Sequence, residues 1–390
     1  MPITYTQGWD AENRLEVVTN TVTGGVTRFV YDGDGSRIVQ VRPDGSKIVY
    51  PGSLIEIELP AAAAPPTGTL TVTKFTDSND GACNADCSLR EAIRAANANS
   101  NADTIVLLAG IYTLTVGTGD DTAAAGDLDI TQPLTLIGAG AHLTVIAMAN
   151  TDRVMHILNT TVTLNGLKLT GGSGSGSGSG LLIQNSTVTV LNSAVSGNTG
   201  ANATAGIYAS SNSTLTLTNS AVLSNTVTGT GNTNGGGMRL DGGRATLTNV
   251  TVSNNTADTP PDGTGDGGGA YLGSTTTVYV KNVILAGNTD ASTSGNIRHD
   301  CSGTLTSQGY NHIQSTTGCT ISGTTTGNQT GTSAQLIALG DNGGPTLTHA
   351  SQPGSPVINT GTNTGCPAQD QRGPQRMPSH CVLPAKRRSG

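Results

Sequence analysis

One stretch restricts the fold of this chain more than any other: Leu215–Thr226, Leu-Thr-Leu-Thr-Asn-Ser-Ala-Val-Leu-Ser-Asn-Thr, whose relatives recur on both sides of it. Aligned on Asn219, the frame returns at Asn192, Asn249 and Asn282, and more loosely at Gly166, in steps of 26, 27, 30 and 33 residues. Self-similarity at such a period marks a solenoid or array, in which each unit buries its apolar face on its neighbours. Val188, Val190 and Val195 of one unit correspond to Leu215, Leu217 and Val222, then to Ala245, Leu247 and Val252, then to Val278, Val280 and Leu285, with Val162, Leu164 and Leu169 in an earlier unit. Period-two alternation puts these on one side of a strand and Thr187, Thr189, Thr214, Thr216, Thr246 and Thr277 on the other. The expected fold is all-β, with parallel coils stacked so that aliphatic columns lie inside and Thr columns face water.

The Asn of the frame, at the corner between two strands, is expected to tolerate the backbone of a tight turn and to stack as a ladder of amides. A second Asn follows six residues later in every unit, at Asn198, Asn225, Asn255 and Asn288, and each is followed by Thr. Repetition in register is what a corner demands, so both sets are read as structural rather than ligand-binding. Gly180-Leu-Leu-Ile183, Gly206-Ile-Tyr208, Gly237-Met-Arg-Leu240 and Gly269-Ala-Tyr-Leu272 supply a third strand per coil. The Gly-Ser tract 171–180 and the loop 257–269 are expected to be flexible excursions at one corner.

Composition fits the array. Charged residues make up 12% and aromatics 3%, beside 54 glycines, a poor supply for a large globular core but enough for a narrow one lined by small β-branched residues. Disorder would need a higher net charge and would not carry this periodicity. A net charge of −7, with no Lys/Arg cluster inside the repeats, argues against nucleic acid as a partner. No apolar run approaches the roughly 18 residues of a membrane helix. Six cysteines fall into three near neighbours, Cys83 with Cys87, Cys301 with Cys319 and Cys366 with Cys381, a pattern that suits disulfides and an oxidising compartment. Metal ligation by these thiols lacks the C-x-x-C spacing and neighbouring histidines. The opening Met-Pro-Ile-Thr-Tyr-Thr has no signal-peptide character, so the chain is read as a fragment of an exported protein.

Four segments follow. Residues 1–58 alternate strands with Asp-Gly turns, as in hairpins: Arg28–Tyr31, Arg37–Val41 and Lys47–Tyr50 flank Asp32–Ser36 and Pro43–Gly45. Trp9-Asp10 with Arg14-Leu15, and Tyr31-Asp32 with Arg37-Ile38, resemble the Tyr-Asp repeats of Rhs proteins, as a short remnant from which no function is carried over. Residues 59–69, with Pro60, four alanines and Pro65-Pro66, form a semi-extended linker. Residues 70–300 hold the coils behind a short helix. Ser88 and Glu91 have the capping-box spacing, and Leu89, Ala92, Ile93 and Ala96 form one apolar stripe, so the helix is expected to be the lid on the first coil. The charges of Arg90 and Glu91 are expected to be solvated, apart from the capping role. Residues 301–390 lose the coil pattern and are expected to form a terminal cap.

The string Cys87-Ser88-Leu89-Arg90-Glu91-Ala92, followed by Ile105, Leu107, Gly110, Tyr112 and Leu114, resembles the CSLREA family. That resemblance implies an exported bacterial surface or secreted protein, with a right-handed single-stranded parallel β-helix (a pectin-lyase-like solenoid) behind the motif. The Gly-Gly-apolar and apolar-x-x-Asn repeats resemble those of polymorphic outer-membrane proteins, with Val or Leu in place of Phe. Gly309-Tyr-Asn311, Asp341–Thr346, Gly354-Ser-Pro356 and Asp370–Gly373 resemble the choice-of-anchor Q region, which implies a cap before a surface anchor.

Some right-handed β-helices cleave acidic polysaccharides, and such sites need carboxylates gathered on one outer face. The carboxylates here, Asp120-Asp121, Asp127, Asp129, Asp241, Asp262, Asp266, Asp290 and Asp300, are read as mostly in loops, and His142, His156, His299, His312, His349 and His380 share no spacing. No catalytic, cofactor or metal residues are therefore expected, and calcium lacks support; Asp32-x-Asp34-x-Ser36 has only the start of a binding loop. The expected function is a non-catalytic adhesin-like scaffold or a stalk, with glycans or cell-surface proteins as partners; the alternative is a polysaccharide lyase or glycoside hydrolase. Ice binding by the Thr columns is expected to be broken by Tyr279 and by unequal coil lengths.

Overall fold

The computed structural model describes residues 5–364 apart from 11, 21–25, 32–36, 43–46, 50–56, 60–67, 120, 175, 202–203, 230–232, 260–264, 294–296, 343–345 and 363. The chain divides into two units, Met1–Thr67 and Gly68–Gly390. The first is a six-stranded antiparallel sheet whose strands, Tyr5–Trp9, Leu15–Asn20, Val26–Tyr31, Arg37–Val41, Lys47–Val49 and Ile57–Leu59, pair in chain order. Its first turn is closed by Asp10, whose carboxylate accepts from the backbone and Nε of Arg14 at 2.8 and 2.7 Å. The Asp32–Ser36 and Pro43–Gly45 turns, the body of the linker and the pair Cys366 and Cys381 lie outside the described residues.

The second unit is a right-handed parallel β-helix. Each coil gives one strand to each of three parallel sheets. A typical coil passes from Met155–Leu158 in the third sheet to Thr161–Asn165 in the first, then to Lys168–Thr170 in the second. Inward columns run in register, Leu134, Val162, Val188, Leu215, Ala245 and Val278 in one and Leu136, Leu164, Val190, Leu217, Leu247 and Val280 in the next, all 3% exposed or less. Thr104, Thr135, Thr163, Thr189, Thr216 and Thr246 form the outward column between them, which Tyr279 interrupts before Thr306. Unequal coil lengths do not disturb this column. Most of the extra residues lie between the second and third sheets, where Thr199–Ala201, Thr226–Thr228, Thr256–Thr259 and Thr289–Asp290 make a fourth short sheet.

The corners are built as the repeat requires. Asn192, Asn219, Asn249 and Asn282 have φ of +49°, +50°, +55° and +51°, a left-handed turn that Asn tolerates better than most residues. Their amides form a ladder: Asn219 donates to Asn192 at 3.4 Å, Asn249 to Asn219 at 3.0 Å and Asn282 to Asn249 at 3.1 Å. In the earlier coil Gly166 takes the turn at φ +69°, and Asn165 accepts from Asn192 at 3.0 Å, so the roles of turn and amide fall on adjacent residues.

The second ladder is deeper. Asn198, Asn225 and Asn255 each donate Nδ2 to the Oδ1 of the next Asn at 2.9 Å, and that Oδ1 also accepts their backbone N–H. The other Nδ2 proton goes to the carbonyl of Leu169, Val195 or Val222, so these buried amides are satisfied. Asn288 continues the pattern onto Asp300, whose Oδ1 accepts from it at 2.9 Å. Beside this ladder stand the glycines of the third-strand motif. A Cβ on Gly206 would lie 2.1 Å from the Gly237 carbonyl, so backbone is stacked on backbone there. Gly172 and Gly178 of the 171–180 tract bond to Asn198 and Thr204, and Thr256–Thr259 is a strand; the described parts of both expected excursions are therefore bonded into the wall.

The helix Leu89–Asn97 closes the first coil, and Leu89, Ala92, Ile93 and Ala96 join the main core. Both arms of the Ser88–Glu91 capping box are made. The expectation of solvated charges is overturned, because Arg90 is fully buried and Glu91 is 2% exposed. Arg90 bonds to Asp77 through Nε at 2.8 Å and Nη2 at 3.0 Å, and to the carbonyls of Gly126, Ala123 and Asp127 at 2.7, 3.2 and 3.3 Å. All five guanidinium protons are thereby placed. Burial pushes Glu91 up, but N–H donors of Ser88 and Asp80 and the Ser78 and Ser88 hydroxyls outweigh it and hold the carboxyl below its ordinary range. Cys83 is disulfide-bonded to Cys87, so every residue from Cys87 to Ala92 is fixed at the lid.

At the far end the coil pattern runs past residue 301. Cys301–Gln308 pairs with Ala270–Leu272 of the third sheet and Thr276–Lys281 of the first, and Cys319–Thr324 adds another rung, tied back by the Cys301–Cys319 disulfide. One unbroken eight-residue strand here replaces two strands and their spacer, which removes the alternating frame that identifies the other coils.

Asn225→Ala should lower stability by on the order of 2 kcal/mol, because it strands the Asn198 donors and the Val195 carbonyl. Thr216→Ala should change it by less than about 0.5 kcal/mol; urea midpoints compare the two. Arg90→Met should cost on the order of 3 kcal/mol by leaving Asp77 charged and buried, and adding Asp77→Asn should recover part of that loss in the same assay.

Candidate functional site

The coil register that stacks the core also stacks the outer positions. On the third sheet, Leu128 and Ile130 point inward, so Asp129 between them points out, and register aligns it with His156, Leu182, Tyr208, Arg239, Tyr271 and Ser302 on successive coils. This column changes chemistry at nearly every rung. It carries an aromatic and basic row towards one end and a carboxylate and imidazole group towards the other.

In the row, the Arg239 guanidinium carbon lies 5.5 Å from the Tyr208 ring centre and 5.3 Å from that of Tyr271, so the cation is held between two aromatic rings. Asp241, two residues along the same strand, accepts from Arg239 Nε at 2.6 Å and from the Tyr208 hydroxyl at 3.3 Å. Burial and the Asp241 charge raise the Tyr208 pKa, which keeps its hydroxyl a donor. All four side chains are half-buried.

At the other end, His156 Nδ1 lies 3.2 Å from Asp129 Oδ1, and its Nε2 lies 2.9 Å from Gln184 Oε1. Asp129 Oδ2 accepts from the Ala123 backbone at 2.9 Å. Asp127 is fully buried; Arg153 Nε donates to its Oδ2 at 2.7 Å, and its Oδ1 has no partner. Burial, with the Asp129 charge adding and Arg153 opposing, pushes Asp127 up to about 7. Asp152 holds the Gly119 and Arg153 backbone N–H groups at 2.9 and 2.8 Å. A cleft of about 380 Å³ opens beside Arg153, lined by Thr118, Gly119, Thr151, Asp152, Gly174 and Gly176.

No family model matches the chain, and neither a curated protein nor a solved structure does.

The acidic residues are thus less scattered than expected. Asp129, Asp241 and Asp290 are on strands rather than in loops, and Asp121, Asp127, Asp129 and Asp152 gather around Arg153 and His156; Asp120 and Asp262 lie outside the described residues. Sequence spacing does contain the column, but at 27, 26, 26, 31 and 32 residues and with unlike side chains, so only the third-strand Gly-apolar frame could have revealed it. Of the other predicted residues, Cys83, Cys87, Cys301 and Cys319 are in disulfides and both Asn sets are in ladders. A second cavity, about 470 Å³, lies between the coil residues Ser253, Ala286 and Gln314 and the 333–352 segment, with His349 on its wall.

Because the folded Asp127 binds a proton more readily than an ordinary carboxyl, folding takes up a proton between pH 3.8 and about 7. Its contribution to stability is therefore complete below that window and lost as pH rises through it. Asp127→Asn should remove the loss, on the order of 3 kcal/mol, so the variant should gain on wild type at pH 8 and not at pH 4 in urea titrations run with chelator present.

Proposed function

We propose that the chain is a non-catalytic, exported scaffold whose third-sheet face binds saccharide chains. The observation that carries this reading is the Tyr208–Arg239–Tyr271 row with Asp241 beside it. Aromatic faces pack on the apolar faces of sugar rings, while a fixed guanidinium and carboxylate bond to hydroxyl pairs or to a uronate. Tyr208 and Tyr271 lie two rungs apart, about 10 Å from the inter-strand spacing, so one extended chain meets both.

The carboxylates that would serve a lyase or hydrolase support binding over catalysis. Asp127 and Asp129 are 0% and 2% exposed, which leaves Asp121 as the one open carboxylate of that group, and an acid or base must come within hydrogen-bond reach of the substrate proton it moves. The two disulfides are compatible with an oxidising exterior, and the resemblance at Cys87–Ala92 supports a secreted or surface location. No helix among the described residues is long and apolar enough to cross a membrane.

A glycan array followed by calorimetry on the full chain tests this reading. Arg239→Ala and Tyr271→Ala should each weaken a bound saccharide about tenfold or more, equivalent to roughly 1.4 kcal/mol, whereas Thr216→Ala on the first sheet should not. Absence of any bound saccharide would overturn the reading in favour of a stalk. Release of unsaturated or reducing ends from a uronan would overturn it in favour of the enzyme.

A further inference from the structure

We propose that Asp121, Asp129 and His156 form a binding site for a divalent transition-metal ion, of the zinc class, which clamps the segment after the first coil to the third sheet. One ligand atom from each residue lies within 4.8 Å of the other two. They come from separate places, Asp121 from an exposed connection, Asp129 from the strand Leu128–Ile130 and His156 from the strand Met155–Leu158, which register sets beside it. An ion there joins a loop to two rungs.

The imidazole supplies the first argument. Both of its ring nitrogens face oxygen acceptors, Asp129 Oδ1 at 3.2 Å and Gln184 Oε1 at 2.9 Å. A neutral imidazole has one proton for these two acceptors. With the proton on Nε2 and given to Gln184, the Nδ1 lone pair meets a carboxylate oxygen, a contact that a shared cation turns from repulsive to attractive. A ring N–H held by a carbonyl oxygen is also the outer support that fixes the tautomer of a metal-bound histidine.

Charge supplies the second. Asp121, Asp127, Asp129 and Asp152 stand around one guanidinium, Arg153, since Arg90 is fully committed to Asp77 and backbone carbonyls. Asp127 Oδ1 is sealed without a partner, so the one guanidinium does not satisfy every carboxyl oxygen gathered here. Asp121 is 80% exposed and adjoins the Arg153 cleft, which leaves an entry path and room for water in a further ligand position.

Ligand chemistry selects the ion. Imidazole with two carboxylates suits zinc, manganese or ferrous iron, whereas calcium takes six to eight oxygens and does not use imidazole. The site therefore differs in kind from the calcium loop considered for Asp32–Ser36.

Calorimetry on chelator-stripped full chain with Zn2+, and the visible spectrum with Co2+, test the proposal. One equivalent per chain should bind, and Asp129→Asn and His156→Ala should each weaken it at least tenfold. Asp121→Ala, which changes only an exposed side chain, should weaken it as well and guards against misfolding as the explanation. Asp86→Asn, an exposed carboxylate elsewhere, should leave it unchanged. No saturable single site in wild type, wild-type affinity in both Asp121→Ala and His156→Ala, or tighter Ca2+ than Zn2+ binding would each overturn the proposal. So would nitrogen NMR showing both His156 ring nitrogens still protonated at saturating Zn2+, because the shared cation would then be a proton.

Discussion

The regular coils of the β-helix depend on the corner amide. A coil that must return above itself needs a backbone turn at fixed places, and a buried turn exposes N–H and C=O groups that have no strand partner. At one corner the left-handed turn falls on Gly197, Ser224, Asn254 and Gly287, and the Asn198–Asn225–Asn255–Asn288 ladder that follows meets the second need, since each amide bonds its neighbour in the next coil, a backbone N–H and a backbone carbonyl. Because the side chain must sit over its own copy, the ladder fixes the rotational phase of the coils it joins. The aliphatic columns follow from that phase, as does the freedom to vary coil length wherever no ladder passes.

Such a mechanism works only between coils, so the ends need different chemistry. Asp300 ends the buried ladder by accepting from Asn288 on one oxygen and from the Ser315 backbone on the other, at 2.6 Å, and needs no amide beyond it. Burial raises its pKa, partly offset by those donors. At the lid, the role of the missing coil passes to the helix, whose apolar stripe covers the core while Arg90 saturates the carbonyls of Ala123, Gly126 and Asp127. A single side chain thus does for an irregular segment what a row of asparagines does for regular ones.

These differences explain what could be read from the chain. The aliphatic columns, the Asn frame, the capping box and the local pairing of Cys83 with Cys87 and Cys301 with Cys319 are legible because they depend on neighbours at a constant offset or close in sequence. The burial of Arg90 is not legible, for the opposite reason. Its partners, Asp77 and residues 123–127, lie 13 and about 35 positions away at no repeating interval, so nothing local distinguishes it from a solvated charge. The strand Cys301–Gln308 hid a coil by fusing two strands into one, and the carboxylates looked dispersed because Asp121, Asp129 and His156 meet only after the coil has closed.

The same register also separates scaffold from site. Where an outer column repeats one residue, as the Thr column does from Thr104 to Thr246, strand propensity and solubility account for it. The third-sheet column stands on strands paired in the same parallel register, yet runs Asp129, His156, Leu182, Tyr208, Arg239, Tyr271. A structural requirement common to all rungs would have selected one kind of side chain there, as it did for Thr. Stacking between Arg239 and its tyrosines accounts for their mutual fit, but not for the placing of an imidazole between a carboxylate and an amide oxygen three rungs away. The unlike residues therefore answer to demands that differ from rung to rung, the buried pair Asp129 and His156 to the segment that covers them and the half-buried Tyr208, Arg239 and Tyr271 to one another.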